Sequence, residues 1–106
     1  MAAINDLRGF IEALEADGQL ARISRQVSIR HELADVGAAL ARTGTGAGLF
    51  ENVDGSRWPI FCGGIASHRR TAIALGCQPN EIIDVMDSVL DQANGIAPVR
   101  IEQAAW

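Results

Sequence analysis

The chain has 106 residues, 48% of them hydrophobic and 5% aromatic, with a formal net charge of −4. That length fits one domain, and that apolar content excludes a disordered chain. An acidic chain without Tyr lacks both the general attraction to phosphate and the stacking rings that nucleic-acid binding uses.

Cys62 and Cys77 form neither a CxxC pair nor a metal-ligand spacing, and they read as buried free thiols. Met1-Ala2-Ala3-Ile4 lacks a basic segment followed by an apolar one, as a secretory signal would need. No apolar run approaches the ~18 residues of a membrane span. The expectation is a cytoplasmic protein with no membrane span and no nucleic-acid partner.

Leu7, Phe10, Ile11 and Leu14 recur at helical spacing, which predicts a first helix capped by Asn5 or Asp6 and ended by Gly18. Glu12 lies one turn beyond Arg8 and suits an ion pair on the solvated face. A strand follows over Leu20 to Ile23, with Ser24 to Ser28 as its exit. A second helix is expected from near Ser28 to Thr43, with Leu33, Val36, Gly37 and Leu40 on one stripe and Arg42 at its cation-favouring end. His31 at its start reads as a surface histidine. Thr43 to Gly48 reads as a flexible connection; its alternating glycines do not make a phosphate loop, because a helix precedes them and a strand follows.

Leu49, Phe50 and Val53 precede Asp54-Gly55, and Trp58, Ile60 and Phe61 follow it, which predicts a hairpin of open loop length. Beyond Gly63-Gly64, Ser67 is placed to cap a helix through Ile73, Ala74 and Leu75 that stops at Gly76. His68-Arg69-Arg70 is the dense basic spot of the chain. It suits either an anion clamp or a solvated helix start that docks onto a larger protein, with Glu51 as a candidate partner for the arginines. His68 has neither the carboxylate nor the nucleophile of a triad beside it. Pro79-Asn80-Glu81 opens a last helix that stops near Asn94-Gly95, with Ile82, Ile83, Met86, Val89 and Leu90 on one face. Glu81, Asp84, Asp87 and Asp91 lie opposite, as a solvated face or a docking stripe. Val99 and Ile101 alternate with charged residues as in a short strand, and Trp106 ends the chain on a ring that a partner would cover. The whole predicts one α+β or α/β domain over residues 1–106. About four helices would surround a sheet of three or four strands, with strand order open.

An apolar pair, Glu51-Asn52-Val53, a short Gly turn and an aromatic-Pro-apolar strand come first, then a Gly-bearing loop and Ser67-His68-Arg69-Arg70 leading into Ala72-Ile73-Ala74-Leu75-Gly76. This order resembles the N-terminal domain of the UbiD-family decarboxylases. Asp6-Leu7-Arg8, Phe10-Ile11, Leu14-Glu15 and Gly18-Gln19-Leu20 resemble the same family's opening segment. Cys62-Gly63-Gly64-Ile65-Ala66 departs from the family, which usually carries an Asn and one or two apolar residues in that loop.

The resemblance implies reversible, non-oxidative decarboxylation of an aromatic or α,β-unsaturated acid on prenylated FMN, with Mn2+ and K+ at the flavin phosphate. In the family the catalytic Glu-Arg-Glu set and the metal-binding Asn, His and Glu belong to a downstream flavin-binding domain. No catalytic, cofactor-binding or metal-binding residue therefore transfers onto this chain. The implied partner is a flavin-binding domain of the same or a second chain, within a homo-oligomer of the complete enzyme. Candidate docking contacts are Glu51, Asn52, Arg69, Arg70, Glu81, Asp84, Asp87, Asp91 and Trp106. The alternative is a stand-alone, non-catalytic interaction or assembly module. An independent small enzyme would need an acid–base pair that the sequence does not offer.

Overall fold

Asp6 opens the first helix, α1 (Leu7–Ala16), by accepting the Gly9 N–H on Oδ1 at 2.8 Å. The structure, a computed structural model, describes residues 4–91 and 95–104. Gly18 at φ 72° turns the chain out of α1, and β1 follows over the expected Leu20–Ile23. Val27–Ser28, expected as part of an exit segment, forms a second short strand, β2.

β2 also moves the next helix. Ser28 is held in the strand, and its Oγ accepts the Arg30 N–H at 3.1 Å. A γ-turn centred on His31 (φ 64°, ψ −46°) then closes through Glu32 N–H donating to the Arg30 carbonyl at 2.7 Å. The helix α2 accordingly spans Glu32–Thr43 and not Ser28 onward, with Gly44 as its left-handed C-cap.

The expected flexible connection is a packed one. β3 begins within it, at Ala47–Phe50, and Gly46, Ala47 and Gly48 are all buried. Ala47 N–H donates to the Gln19 carbonyl at 2.8 Å, which draws Gly46 against the α1–β1 turn; a Cβ there would lie 2.7 Å from the Gln19 carbonyl oxygen.

The predicted hairpin forms between β3 and β5 (Ile60–Cys62), antiparallel, with Leu49 opposite Phe61. Its loop is not a simple turn. Val53–Asp54 leave it as β4 and pair in parallel with β2, giving a separate two-stranded sheet. The main sheet has the order β1-β3-β5, with β1 and β3 parallel. Parallel neighbours need a crossover, and α2 supplies it for both pairs. Among the described residues, four helices on a small mixed sheet make one α+β domain, as expected.

α2 covers one face of the sheet. Gly48, Phe50 and Cys62 point to that side, where a Cβ on Gly48 would lie 2.9 Å from the Leu40 methyl. Phe50, fully buried, gathers Val27 and Val53 with Ile23, Leu33, Val36, Ile60 and Cys62 around it. On the other face Phe61 meets Phe10 of α1 edge to face at 6.1 Å. Here the helix α3 (His68–Leu75) packs beside α1, capped as expected by Ser67, whose Oγ accepts the Arg70 N–H, and ended by left-handed Gly76.

Pro79–Glu81 make one 3-10 turn that leads into α4 (Ile82–Asp91), packed against α3. Gln78 and Glu81 cap this start reciprocally. Val99 and Ile101 do not form the expected strand; they lie exposed in an irregular segment that pairs with no strand among the described residues. The Asn94 helix stop and Trp106 lie outside the described residues.

Candidate functional site

Three consecutive residues on a helix point about 100° apart, and that alone disperses His68-Arg69-Arg70. His68 is exposed beside Ser67 and Thr71, over an open recess of about 490 Å3. Arg69 turns toward the end of α1, where Nε and Nη2 donate to Asp17 Oδ2 and Oδ1 at 2.6 and 2.8 Å. Arg70 turns inward and is only 3% exposed. Its Nε donates to the Gly63 carbonyl at 3.0 Å and its Nη1 to Gln19 Oε1 at 3.4 Å, so this guanidinium ties the β5–α3 loop to the α1–β1 turn.

These placements correct the sequence reading in two respects. Glu51 is not the arginines' partner: its carboxylate lies 3.6 Å from Arg22, which also binds Glu15 in bidentate fashion at 2.6 and 3.0 Å. The acid of α1 that finds a cation is thus Glu15 rather than Glu12. Arg70 is an interior strut and is not presented to a partner, because its register on α3 turns it toward Gly63 and Gln19. Arg69 remains at the surface with one carboxylate bound.

The same two pairs set the local electrostatics. Hydrogen bonds from Arg22 hold the Glu15 carboxyl below its ordinary range, and those from Arg69 do the same for Asp17. Both pairs face water and order the surface more than they stabilise the fold.

Asn52 is exposed, and its carbonyl accepts the Val27 N–H at 3.1 Å, so its backbone serves the β2–β4 pairing. Glu81 reaches back to the Gln78 N–H at 2.8 Å. Asp84, Asp87 and Asp91 stand exposed along α4. Along α4 runs a shallow recess of about 410 Å3 lined by Glu81, Asp84, Val85, Ser88 and Val89.

What the sequence reading missed on α4 is the state of its apolar face. Ile82 and Val85 are half-buried, yet Ile83 is 80% exposed and Leu90 77%. The apolar arc is about 160° wide by helical geometry, and the domain covers only one side of it. Missed too were Asp17 and Gln19, the partners of Arg69 and Arg70, which lie 52 and 51 residues away in sequence.

A flavin with a divalent metal needs convergent hard ligands and an enclosed slot for the ring system. Among the described residues no three His, Cys, Asp or Glu converge to hold an ion. The recess under the Arg69–Asp17 pair, beside Ala72, Ile73 and Cys77, is about 80 Å3, too small for a flavin, and the two larger recesses are open to water. The described residues that line these recesses therefore do not by themselves make a flavin–metal centre. No described helix is long and apolar enough to cross a membrane.

The family model described as the 3-octaprenyl-4-hydroxybenzoate carboxy-lyase N-terminal domain matches residues 11–89. The chain is 34% identical to a phenolic acid decarboxylase of Escherichia coli O157:H7, over 98% of its own length and 23% of that protein's. It is likewise 34% identical to an uncharacterized Synechocystis protein, over 93% of its length and 20% of the relative's. The chain therefore spans about a fifth of the length of these relatives. Among solved structures, the vanillic acid decarboxylase of Sedimentibacter hydroxybenzoicus in its closed form superposes with a TM-score of 0.69 at 32% identity, over 76% of this chain and 17% of that one. An evolved dimeric form of HmfF from Pelotomaculum thermopropionicum, solved in complex with prFMN, shares the fold with a TM-score of 0.71 at 24% identity, over 81% of this chain and 20% of that one. Sequence and fold agree, and the chain belongs to the UbiD family of carboxy-lyases, with the fold of that family's N-terminal domain.

Proposed function

We propose that residues 1–106 serve as the N-terminal scaffold domain of a UbiD-type decarboxylase. The complete enzyme would reversibly decarboxylate an aromatic or α,β-unsaturated acid on prenylated FMN, with Mn2+ and K+ at the flavin phosphate. It would work in the cytoplasm as a homo-oligomer, with its catalytic residues in a flavin-binding domain of the same or a partner chain. One observation carries this reading: relatives that include a phenolic acid decarboxylase match this chain almost end to end, while the chain covers only about a fifth of each. It is consistent with a metal held elsewhere that no three His, Cys, Asp or Glu converge among the described residues. Exposed Glu51, Asn52, Arg69, Asp84, Asp87 and Asp91 remain proposed contacts to that domain.

The test is purification from the source organism through a handle at the N-terminus. The expected preparation carries flavin absorbance and releases CO2 from a hydroxybenzoate-type acid. A lone species of 11.3 kDa without flavin would overturn the reading in favour of a non-catalytic assembly module.

A further inference from the structure

α4 is built to be covered on two sides, and the domain covers one. At 100° per residue, half-buried Ile82 and Val85 flank Val89, which is 55% exposed, on one edge of the apolar arc, while Ile83, Met86 and Leu90 form its other edge. These three are 80%, 42% and 77% exposed. Helices this short are marginal in water without an apolar face to bury. Asp84, Asp87 and Asp91 line the far border of the open strip, and α4 contains no cation.

Ile96 and Val99, beyond α4, are also open, at 100% and 85%.

Charge disfavours the symmetric occupant, α4 of a second copy. If α4 packed on α4 of a second copy, the carboxylates bordering each strip would face one another with no cation from either helix, on chains of net charge −4. Such juxtaposition opposes association. An occupant with an apolar centre and arginine or lysine at its rim meets both halves of the surface.

Resting on the function proposed above, the geometry points to the Ile83–Met86–Leu90 strip as the seat of the flavin-binding domain, with cationic side chains of that domain against Asp84, Asp87 and Asp91. The strip is the apolar centre of the contact and the aspartates are its rim. This places the main docking energy on residues that are neither charged nor in the basic spot.

The experiment places the photo-crosslinker p-benzoylphenylalanine at position 90, and in a second strain at Arg42, an exposed site on α2. Both chains are expressed in the native host, irradiated and mapped by mass spectrometry. Position 90 is expected to crosslink to a flavin-binding segment at an apolar sequence flanked by Arg or Lys, with a yield several times that of position 42. A crosslink to α4 of a second copy, or equal yields at both sites, overturns the assignment. Flavin absorbance of the same preparations separates the two claims. Flavin present with no enrichment at position 90 sinks the docking surface alone; flavin absent sinks the function and the occupant with it. As a second measurement, Ile83→Asp and Leu90→Asp are each expected to weaken retention of the flavin-binding segment at least about tenfold. Both leave the melting temperature of the 106-residue chain unchanged. Undiminished retention overturns the proposal.

Discussion

Removing the guanidinium of Arg69 takes away one exposed pair with Asp17. Removing that of Arg70 leaves a buried void and deprives the Gly63 carbonyl and Gln19 Oε1 of their donor. Arg70→Ala should therefore cost about 2–4 kcal/mol, while Arg69→Ala leaves the urea midpoint nearly unchanged. Equal midpoints for the two variants would refute the interior role of Arg70. The pairs Arg22–Glu15 and Arg69–Asp17 carry a pH signature instead. Both carboxyls are lowered in the fold, first by hydrogen bonds from their arginines, so their contribution is complete above the ordinary values of 4.5 and 3.8 and is lost as pH falls below them. The double variant Arg22→Gln/Arg69→Gln should melt below the parent at neutral pH and converge with it near about pH 2. A gap of constant size would mean that the arginines act through packing.

Elements with local signals were legible in the sequence. Asp6, Ser67 and Gly76 cap their helices as expected, and β1 keeps its expected bounds, because capping and strand alternation are decided within a few residues. β2 and β4 have two residues each, too few to show a period, and they exist only because α2 brings them side by side. The burial of Arg70 was illegible for a related reason: it depends on the register of α3 against α1 and on the α1–β1 turn, 51 residues away in sequence. The glycines from Gly44 to Gly48 look alike in sequence but differ in what surrounds them. A Cβ at Gly44 would meet nothing within 4 Å, so Gly44→Ala carries only the strain of φ 65°, about 1 kcal/mol. At Gly46, φ 140° and the Gln19 carbonyl oxygen 2.7 Å away act together, and Gly46→Ala should cost more than about 2 kcal/mol, because backbone would have to move. Thermal melts of the two variants check the order, and an equal loss would mean that the loop does not close on Gln19 in solution.

For the whole molecule, the interior is small, with Phe50 buried on one side of the sheet and Leu14 and Ala72 on the side of α1 and α3. Phe50, Val27 and Val53 gather the aliphatic residues between α2 and the sheet, whereas α4 and the segment after it stand away from that centre. The radius of gyration, 16.5 Å, exceeds the ~13 Å of a compact domain of this length. Stability and association should then be separable by position. Phe50→Ala empties a fully buried site and should cost about 3–5 kcal/mol, a large part of the 5–15 kcal/mol a domain has in all. Leu90→Gln alters a side chain 77% exposed and should shift stability by no more than about 0.5 kcal/mol. Small-angle scattering on the isolated chain decides whether this division is real in solution. A radius near the observed value, with Leu90→Gln neutral, means that the apolar side of α4 waits for a partner. A radius near that of a compact domain, with Leu90→Gln as costly as Phe50→Ala, means that α4 folds back on its own core and leaves nothing there to dock.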